Sequence, residues 1–357
     1  MSNSLTPNQL AIQESLKARI ISRPNPWVGA VIVPHGFQDD PAKWIRGHTQ
    51  RYKGDHAEIC AINNAGDLTV NATLYVTLEP CNHFGNTPPC TEAIIAAGIT
   101  KVVVGIIDPD HRVSGSGIQK LLEAGIKVEL FSDADRESII EILLPYLWHK
   151  KTQTPFILLK TAVTADGKTA TSTGDSKWIS SEASRKFVHY TRAAADAIVV
   201  GASTVKNDDP ELTVRYGYET ELLNQPMRIV FGGVPEGSKI EPCIKFSGDI
   251  KNFLNEFKMY DFQLVMVEGG SKVAAEFMSS GLVNMIMLFM APKIYGGNDA
   301  FSIFSGSGPK YIKDLQKGSF GTVELIGGDI KINYYTEDTV EFINSISEIT
   351  RNVIADT

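Results

Sequence analysis

The sequence predicts an α/β protein built as two successive domains. Three observations lead there. The 357 residues exceed what one core usually covers. Short apolar runs alternate with stretches of helical spacing along most of the chain. A polar stretch at 150–154, followed by Pro155, interrupts that alternation near the middle and reads as a linker. The expected domains are residues 1–149 and 150–357.

The elements follow in order. Ile12, Leu16 and Ile20 fall at helical spacing, and the turn Pro24-Asn25-Pro26 stops that helix before an apolar run over 27–33 that fits a buried strand. Residues 56–65 form a second helix ended by Gly66, and 73–78 a strand leading into Glu79-Pro80-Cys81. A helix over 91–97 closes at Gly98, and 101–107 is another strand. Gly115-Ser116-Gly117 opens a helix to Ala124. Lys120 stands where a dinucleotide fingerprint needs its third glycine, so this is a plain helix start. Asp133 caps a helical run to His149. Beyond the linker come a strand over 156–163, the turn Asp166-Gly167-Lys168, and strands over 197–201, 228–231, 263–267 and 285–291. Such alternation implies sheets covered on both faces, with chemistry at the carboxyl ends of strands.

Charge narrows the function. A net charge of −7 and a pI near 5.6 leave no broad electrostatic footprint for nucleic acid or anionic membrane, so neither is an expected partner. An anionic substrate must be met by local Lys and Arg. No run approaches eighteen consecutive apolar residues, and residues 1–9 lack the basic and apolar regions of a secretory signal. A cytoplasmic enzyme is the expectation. Four cysteines in so long a chain, two of them in a metal pattern, argue against a disulfide framework, and Cys243 has no assigned role.

The metal pattern is His56-Ala57-Glu58, then Thr77-Leu78-Glu79-Pro80-Cys81, then Thr87-Pro88-Pro89-Cys90. One imidazole and two thiols around a glutamate make the ligand set of a catalytic zinc, three protein donors leaving the fourth tetrahedral position to water. The metal lowers the pKa of that water to about 7. The two cysteines stand farther apart than the two intervening residues of the general zinc-deaminase signature, so a loop must bring Cys90 back, and Gly85, Pro88 and Pro89 suit its turn. Two buried, inert thiols are the bland alternative. Cys60, four residues after His56, is an alternative ligand, although a cysteine on an apolar face is more often core. His83 either contacts substrate or fills the loop. Glu58, about 200° from His56 on a helix, is poorly placed to bind the same metal and suits proton transfer.

In the second half, Val267-Glu268-Gly269-Gly270-Ser271 runs from strand into helix with glycines and a serine in the first turn, and Gly201-Ala202-Ser203-Thr204 repeats the design. Each alone is as readily a tight turn. Two in one domain favour a nucleotide with a pyrophosphate, held by free backbone N–H groups. Arg192 and Arg215 can meet a phosphate through paired donors, or serve only as surface ion pairs.

On these motifs the chain closely resembles the bifunctional deaminase-reductase family of riboflavin biosynthesis over nearly its whole length. The residues that carry the likeness are Pro24-Asn25-Pro26, Val28-Gly29-Ala30-Val31-Ile32-Val33 and the three metal motifs in the first half. In the second half they are Asp166-Gly167-Lys168, Ser176-Lys177-Trp178-Ile179, Thr204-Val205, Asp208-Asp209-Pro210, Leu212-Thr213-Val214-Arg215 and Glu268-Gly269-Gly270. The resemblance implies a cytidine-deaminase-like three-layer α/β/α domain followed by a dihydrofolate-reductase-like α/β domain. It implies one Zn2+ per chain at His56, Cys81 and Cys90, with Glu58 moving protons, and NADPH as the second cofactor. NADPH would be held by Ala162, Trp178, Thr204, Asp208, Gly270, Ser271, Lys272, Val273, Ala274, Ala275 and Glu276. The phosphorylated ribosylaminopyrimidine substrates would be held by Ser176, Arg192, Leu212, Arg215 and Glu268, in a homo-oligomer, dimer or tetramer. Lys160, Asp208 and Glu268 are the candidates to supply the proton during reduction. Two departures from the family pattern are the spacing of residues 34–55 and the strand end Phe231-Gly232-Gly233, which lacks the usual acidic residue and small hydroxyl. Competing readings are a deaminase of nucleosides or nucleic acid, a zinc-stabilised scaffold without turnover, and a deaminase with an inactive reductase half.

Overall fold

The computed structural model describes residues 5–84, 88–110, 113–220 and 225–355; Gly85 and Thr87 of the loop between the cysteines lie outside them. The chain forms two compact units, residues 1–153 with 343–357, and residues 154–342.

The first unit runs α1 (Pro7–Ala18), β1 (Gly29–Val33), β2 (Ile45–His48), α2 (Ala57–Ala65), β3 (Thr73–Leu78), α3 (Cys90–Ala96), β4 (Lys101–Ile106), α4 (Ser116–Glu123), β5 (Lys127–Leu130) and α5 (Asp133–Thr152). Its sheet has the order β2-β1-β3-β4-β5, antiparallel at β1 and parallel from β3 to β5. All five residues of β1 are buried, and five of the six in β4, as continuous apolar runs in a two-sided sheet require.

Local differences from the expectation have local causes. The first helix stops at Ala18, so Ile20 lies in the turn beyond it. Pro7 and the Thr6–Gln9 capping box set its start. Ser132, not Asp133, caps α5, its hydroxyl accepting the Asp135 N–H. That helix continues through Thr152, so most of the expected linker is helical. The sequence shows no sign of β2 or β5, both short strands with few buried residues.

The second unit contains β6 (Phe156–Thr164), β7 (Lys168–Ala170), α6 (Glu182–Ala194), β8 (Ala197–Gly201), α7 (Ala202–Asp208), β9 (Met227–Phe231), β10 (Ile244–Phe246), α8 (Phe253–Glu256), β11 (Leu264–Val267), α9 (Ser271–Ser279), β12 (Met285–Ala291), β13 (Phe301–Ser302), β14 (Gly318–Ile326) and β15 (Asp329–Thr336). The last helix, α10 (Glu337–Ala355), starts here. The main sheet has the order β10-β9-β8-β11-β6-β12-β15-β14, parallel through β12 and closed by the antiparallel pair β15 and β14. β8, β11 and β6 are neighbours, so Thr204 and Glu268, just beyond the ends of the first two, and Ala162, near the end of the third, come to the same edge of the sheet. Phe246, Phe253, Phe257 and Phe277 form the centre of an aromatic core beneath one side of this sheet, joined by Val273 and Ala274 of α9. Among the described residues, no helix is long and apolar enough to cross a membrane.

Candidate active sites

In the first unit three chain segments meet. His56 is the N-cap of α2, Cys81 follows β3, and Cys90 is the first residue of α3. His56 Nδ1 lies 3.6 Å from Cys81 Sγ and 3.3 Å from Cys90 Sγ, and the three ligand atoms all fall within 4.8 Å of one another. A tetrahedral zinc with Zn–S about 2.3 Å and Zn–N about 2.0–2.1 Å separates nitrogen from sulfur by roughly 3.6 Å. The donor set fits that ion in identity and in spacing.

The charges agree. Cys81 is drawn down to about 4, its sulfur accepting from the Cys90 thiol and, against burial, from His56. The Cys90 N–H at the start of α3 also points at Cys81 Sγ, 3.4 Å away. Cys90, the donor of that pair, is pushed up by it and by burial, and His56 rises to about 9 beside Cys81. Three groups trading protons in this way converge on one point.

Glu58 is 4% exposed, and burial pushes its carboxyl up to about 7 against the pull of His56. It hydrogen-bonds Cys90 and stands outside the ligand trio. The expected separation on a helix does not apply, because His56 has extended backbone (ψ 163) and lies before the first helical residue. Both side chains therefore reach the same place. Cys60 is elsewhere, its sulfur taking the Gln50 and Asn64 amides at 3.7 and 3.8 Å. His83 Nδ1 is buried with no hydrogen-bond partner among the described residues.

Glu79 was not singled out from the sequence, and its position explains much of the site. Its carboxylate accepts the backbone N–H groups of Asp108 (3.3 Å), Gly115 (3.0 Å), Gly117 (2.9 Å) and Ile118 (3.3 Å). It thereby fastens the start of α4 and the turn before it to the strand end that presents Cys81. Gly117 permits the approach: a Cβ there would sit 2.1 Å from the Pro80 carbonyl oxygen. The Gly115-Ser116-Gly117 sequence is a packing site.

In the second unit a cavity of about 1150 Å³ opens at the carboxyl ends of β6, β8 and β11. It is lined by Ala162, Trp178, Thr204, Asp208, Gly270, Ser271 and Lys272, and by Ser176, Arg192, Leu212, Arg215 and Glu268. Val273, Ala274, Ala275 and Glu276 do not line it; Val273 and Ala274 are buried in the core and Glu276 is exposed on α9. The two glycine-rich loops meet, the Gly270 N–H donating to Thr204 Oγ1 at 3.3 Å.

At the cavity floor Glu268 takes Arg192 through two bonds, Nε at 2.5 Å and Nη2 at 3.0 Å, with Lys160 Nζ 3.6 Å away. Burial alone would raise the Glu268 carboxyl; Arg192 and Lys160 reverse this and hold it at about 2. Lys160 is lowered by burial and by Arg192, against the pull of Glu268. His189 falls to about 4 through burial and the nearby Arg192 and Arg215, and its Nδ1 accepts the Arg215 N–H at 3.1 Å.

His189 and Arg185 were missed. Both share the α6 face with Arg192, at spacings of three and seven residues, and Arg185 stacks 4.5 Å over the Trp178 ring. Ser181 before Glu182 was the available signal for that helix, its hydroxyl accepting the Ser184 N–H. At the departure Phe231-Gly232-Gly233 only Gly232 is held by the backbone, with φ +102 and a would-be Cβ 3.0 Å from the Ala202 Cβ; a side chain at Gly233 would meet nothing within 4 Å, and nothing in the structure explains its absence.

Comparison with known proteins assigns these two sites a common setting. Residues 1–106 match the cytidine and deoxycytidylate deaminase zinc-binding region, and residues 155–327 match the RibD C-terminal domain. The riboflavin biosynthesis protein RibD of Aquifex aeolicus is 38% identical over 91% of this chain and 96% of its own. The chain belongs to the RibD family. RibD of Escherichia coli is 31% identical over 90% of this chain and 96% of its own. A solved Acinetobacter baumannii RibD superposes with a TM-score of 0.79, at 31% identity over 92% of this chain and 98% of that one. A Thermotoga maritima structure, described as a diaminohydroxyphosphoribosylaminopyrimidine deaminase/5-amino-6-(5-phosphoribosylamino)uracil reductase, gives 0.76 at 32% identity, over 92% of this chain and 97% of that one. As in RibD, the first half is a cytidine-deaminase-like α/β/α fold and the second a dihydrofolate-reductase-like α/β fold. The chain is a bifunctional deaminase and reductase of riboflavin biosynthesis.

Proposed function

We propose that the chain acts twice on one pyrimidine ribotide. It removes the amino group of diaminohydroxyphosphoribosylaminopyrimidine by hydrolysis, then reduces the ribosyl side chain of 5-amino-6-(5-phosphoribosylamino)uracil to ribityl with NADPH. The observation that carries the reading is the convergence of His56, Cys81 and Cys90 at zinc spacing beside the buried Glu58.

One zinc ion per chain would be held by that trio, and when bound it supplies a Lewis acid that makes water acidic near neutral pH. Glu58, poised at about 7, takes a proton from the attacking water and returns it to the departing ammonia.

In the second half, Thr204, Gly270, Ser271, Lys272, Trp178, Asp208 and Ala162 hold NADPH, with Val273, Ala274, Ala275 and Glu276 contributing by forming α9 behind them. NADPH, when bound, supplies the hydride. Ser176, Arg192, Leu212, Arg215 and Glu268 orient the ribotide. Of the three candidate proton donors, Lys160 is the best suited, because Glu268 at about 2 is ionised, Asp208 is engaged near Lys177, and burial loosens the Lys160 proton.

The edge strand β14, with Phe320 70%, Val323 59% and Leu325 77% exposed, supports pairing of two copies in a homo-oligomer. Thiolate ligands suit a reducing compartment, in keeping with a cytoplasmic location.

The test is a coupled assay with metal analysis on the purified chain. The expected result is stoichiometric zinc, ammonia from the diaminopyrimidine ribotide, and NADPH oxidation that depends on the deaminated product. Full deamination by a chain carrying serine at both 81 and 90 would sink the first half of the proposal. Absence of NADPH oxidation with the authentic uracil ribotide would sink the second.

A further inference from the structure

The C-terminal part of α10, residues 343–357, clusters with residues 1–153 and not with the sheet it follows in sequence. Ile346, 2% exposed, and Thr350, 0% exposed, stand four residues apart on one face, with Val353 one turn on. A hydroxyl buried so completely needs partners. Thr350 Oγ1 donates to the Ile346 carbonyl at 2.9 Å and accepts the Ile107 N–H at 3.2 Å. Ile107 is the first residue past β4. Nearby, Val353 Cγ1 is 3.4 Å from where a Cβ of Gly115 would stand.

The C-terminal segment therefore holds the β4 end of the turn between β4 and α4 by a hydrogen bond and lies beside its other end at Gly115. The same turn is held from the other side by Glu79, which takes the N–H groups of Asp108 and Gly115. Glu79 is separated from Cys81 only by Pro80, whose carbonyl rests on Gly117. A short path of hydrogen bonds thus joins Thr350 to the strand end that aims Cys81.

We infer that the segment 343–355 is a working part of the deaminating half, and that Thr350 is a positioning residue for deamination, holding the end of β4 against Glu79 so that Cys81 stays directed toward His56 and Cys90. The inference rests on the reading of that trio as the deaminating site. Small displacements of such a group are costly, since a shift of about 1 Å can lower a rate by about 100-fold.

The experiment uses the full chain with Thr350→Val, which keeps the shape but accepts no hydrogen bond, Thr350→Ser, which restores it, and Glu58→Gln as a control. Ammonia release, NADPH oxidation on the deaminated ribotide and the visible absorption of the Co2+-substituted protein are measured. Thr350→Val is expected to lower kcat for ammonia release by about tenfold or more, alter the Co2+ spectrum and leave NADPH oxidation unchanged, with Thr350→Ser close to wild type. Unchanged kcat and spectrum with only a lower melting temperature, or parallel loss of both activities, would overturn the inference. If Glu58→Gln keeps releasing ammonia, the reading of the site itself has failed. If it is inactive while Thr350→Val is normal, only the role of Thr350 has.

Discussion

Arg192 and Glu268 form a two-point ion pair in the reductase half, the Nε–Oε1 and Nη2–Oε2 distances being 2.5 and 3.0 Å, with side-chain exposures of 11% and 6%. Two charges so far from water are tolerable only as a pair. Glu268→Gln would leave Arg192 and Lys160 without their counter-ion. The expected cost is about 3–5 kcal/mol of stability, read from urea unfolding, with NADPH oxidation lost and ammonia release retained. Because the carboxyl is depressed to about 2 from 4.5, its contribution is present above about pH 4.5 and is lost as pH falls through about 2. The part of the difference that comes from the Glu268 carboxyl should be flat above about pH 5, while in the variant Lys160, already lowered by burial, loses the charge that holds its proton.

His56→Ala removes one of three donors at the metal site. Ammonia release should vanish and zinc content should fall well below one per chain, while NADPH oxidation on the deaminated ribotide continues. Loss of both activities together would contradict two independent centres.

Gly117→Ala places a methyl group 2.1 Å from the Pro80 carbonyl oxygen. Neither backbone segment can yield without releasing the amides held by Glu79. A loss of about 1–3 kcal/mol is expected from the overlap, together with reduced deamination, measured as a shift in the urea midpoint and in kcat.

Asp108 supplies a pH test. Burial raises its carboxyl from 3.8 to about 7, although the Asp110 N–H and the Tyr146 hydroxyl, at 2.9 and 3.0 Å, favour the charged form. A raised folded-state pKa contributes stability that is full below about 3.8 and is lost as pH rises through about 7. Relative to Asp108→Asn, the wild type should lose about 2–4 kcal/mol between pH 4 and 8. Parallel stability curves for the two proteins would refute it.

Continuous apolar runs made β1, β4, β8 and β11 legible, because a strand buried on both faces has little choice of residue. The hairpin of β14 and β15 was not legible. Gly318 and Gly321 sit in its first strand and Lys331 and Asn333 in its second, and most of β14 faces outward. At the metal centre, residue identity and spacing named His56, Cys81, Cys90 and Glu58, since few side chains can do that chemistry. Glu79 stayed hidden within the same motif: its partners lie 29 to 39 residues downstream, and no local pattern records an amide arriving from there. Likewise Arg185 and His189 join Arg192 only through the pitch of α6.

The division of the first unit between residues 1–153 and 343–357 sets an order on its birth. At ordinary rates of synthesis the N-terminal stretch leaves the ribosome roughly 10–40 s before the piece that closes over Ile107 and Gly115. During that interval the nascent sheet stands with one side unfinished, and a message cut short before codon 343 would leave it so permanently.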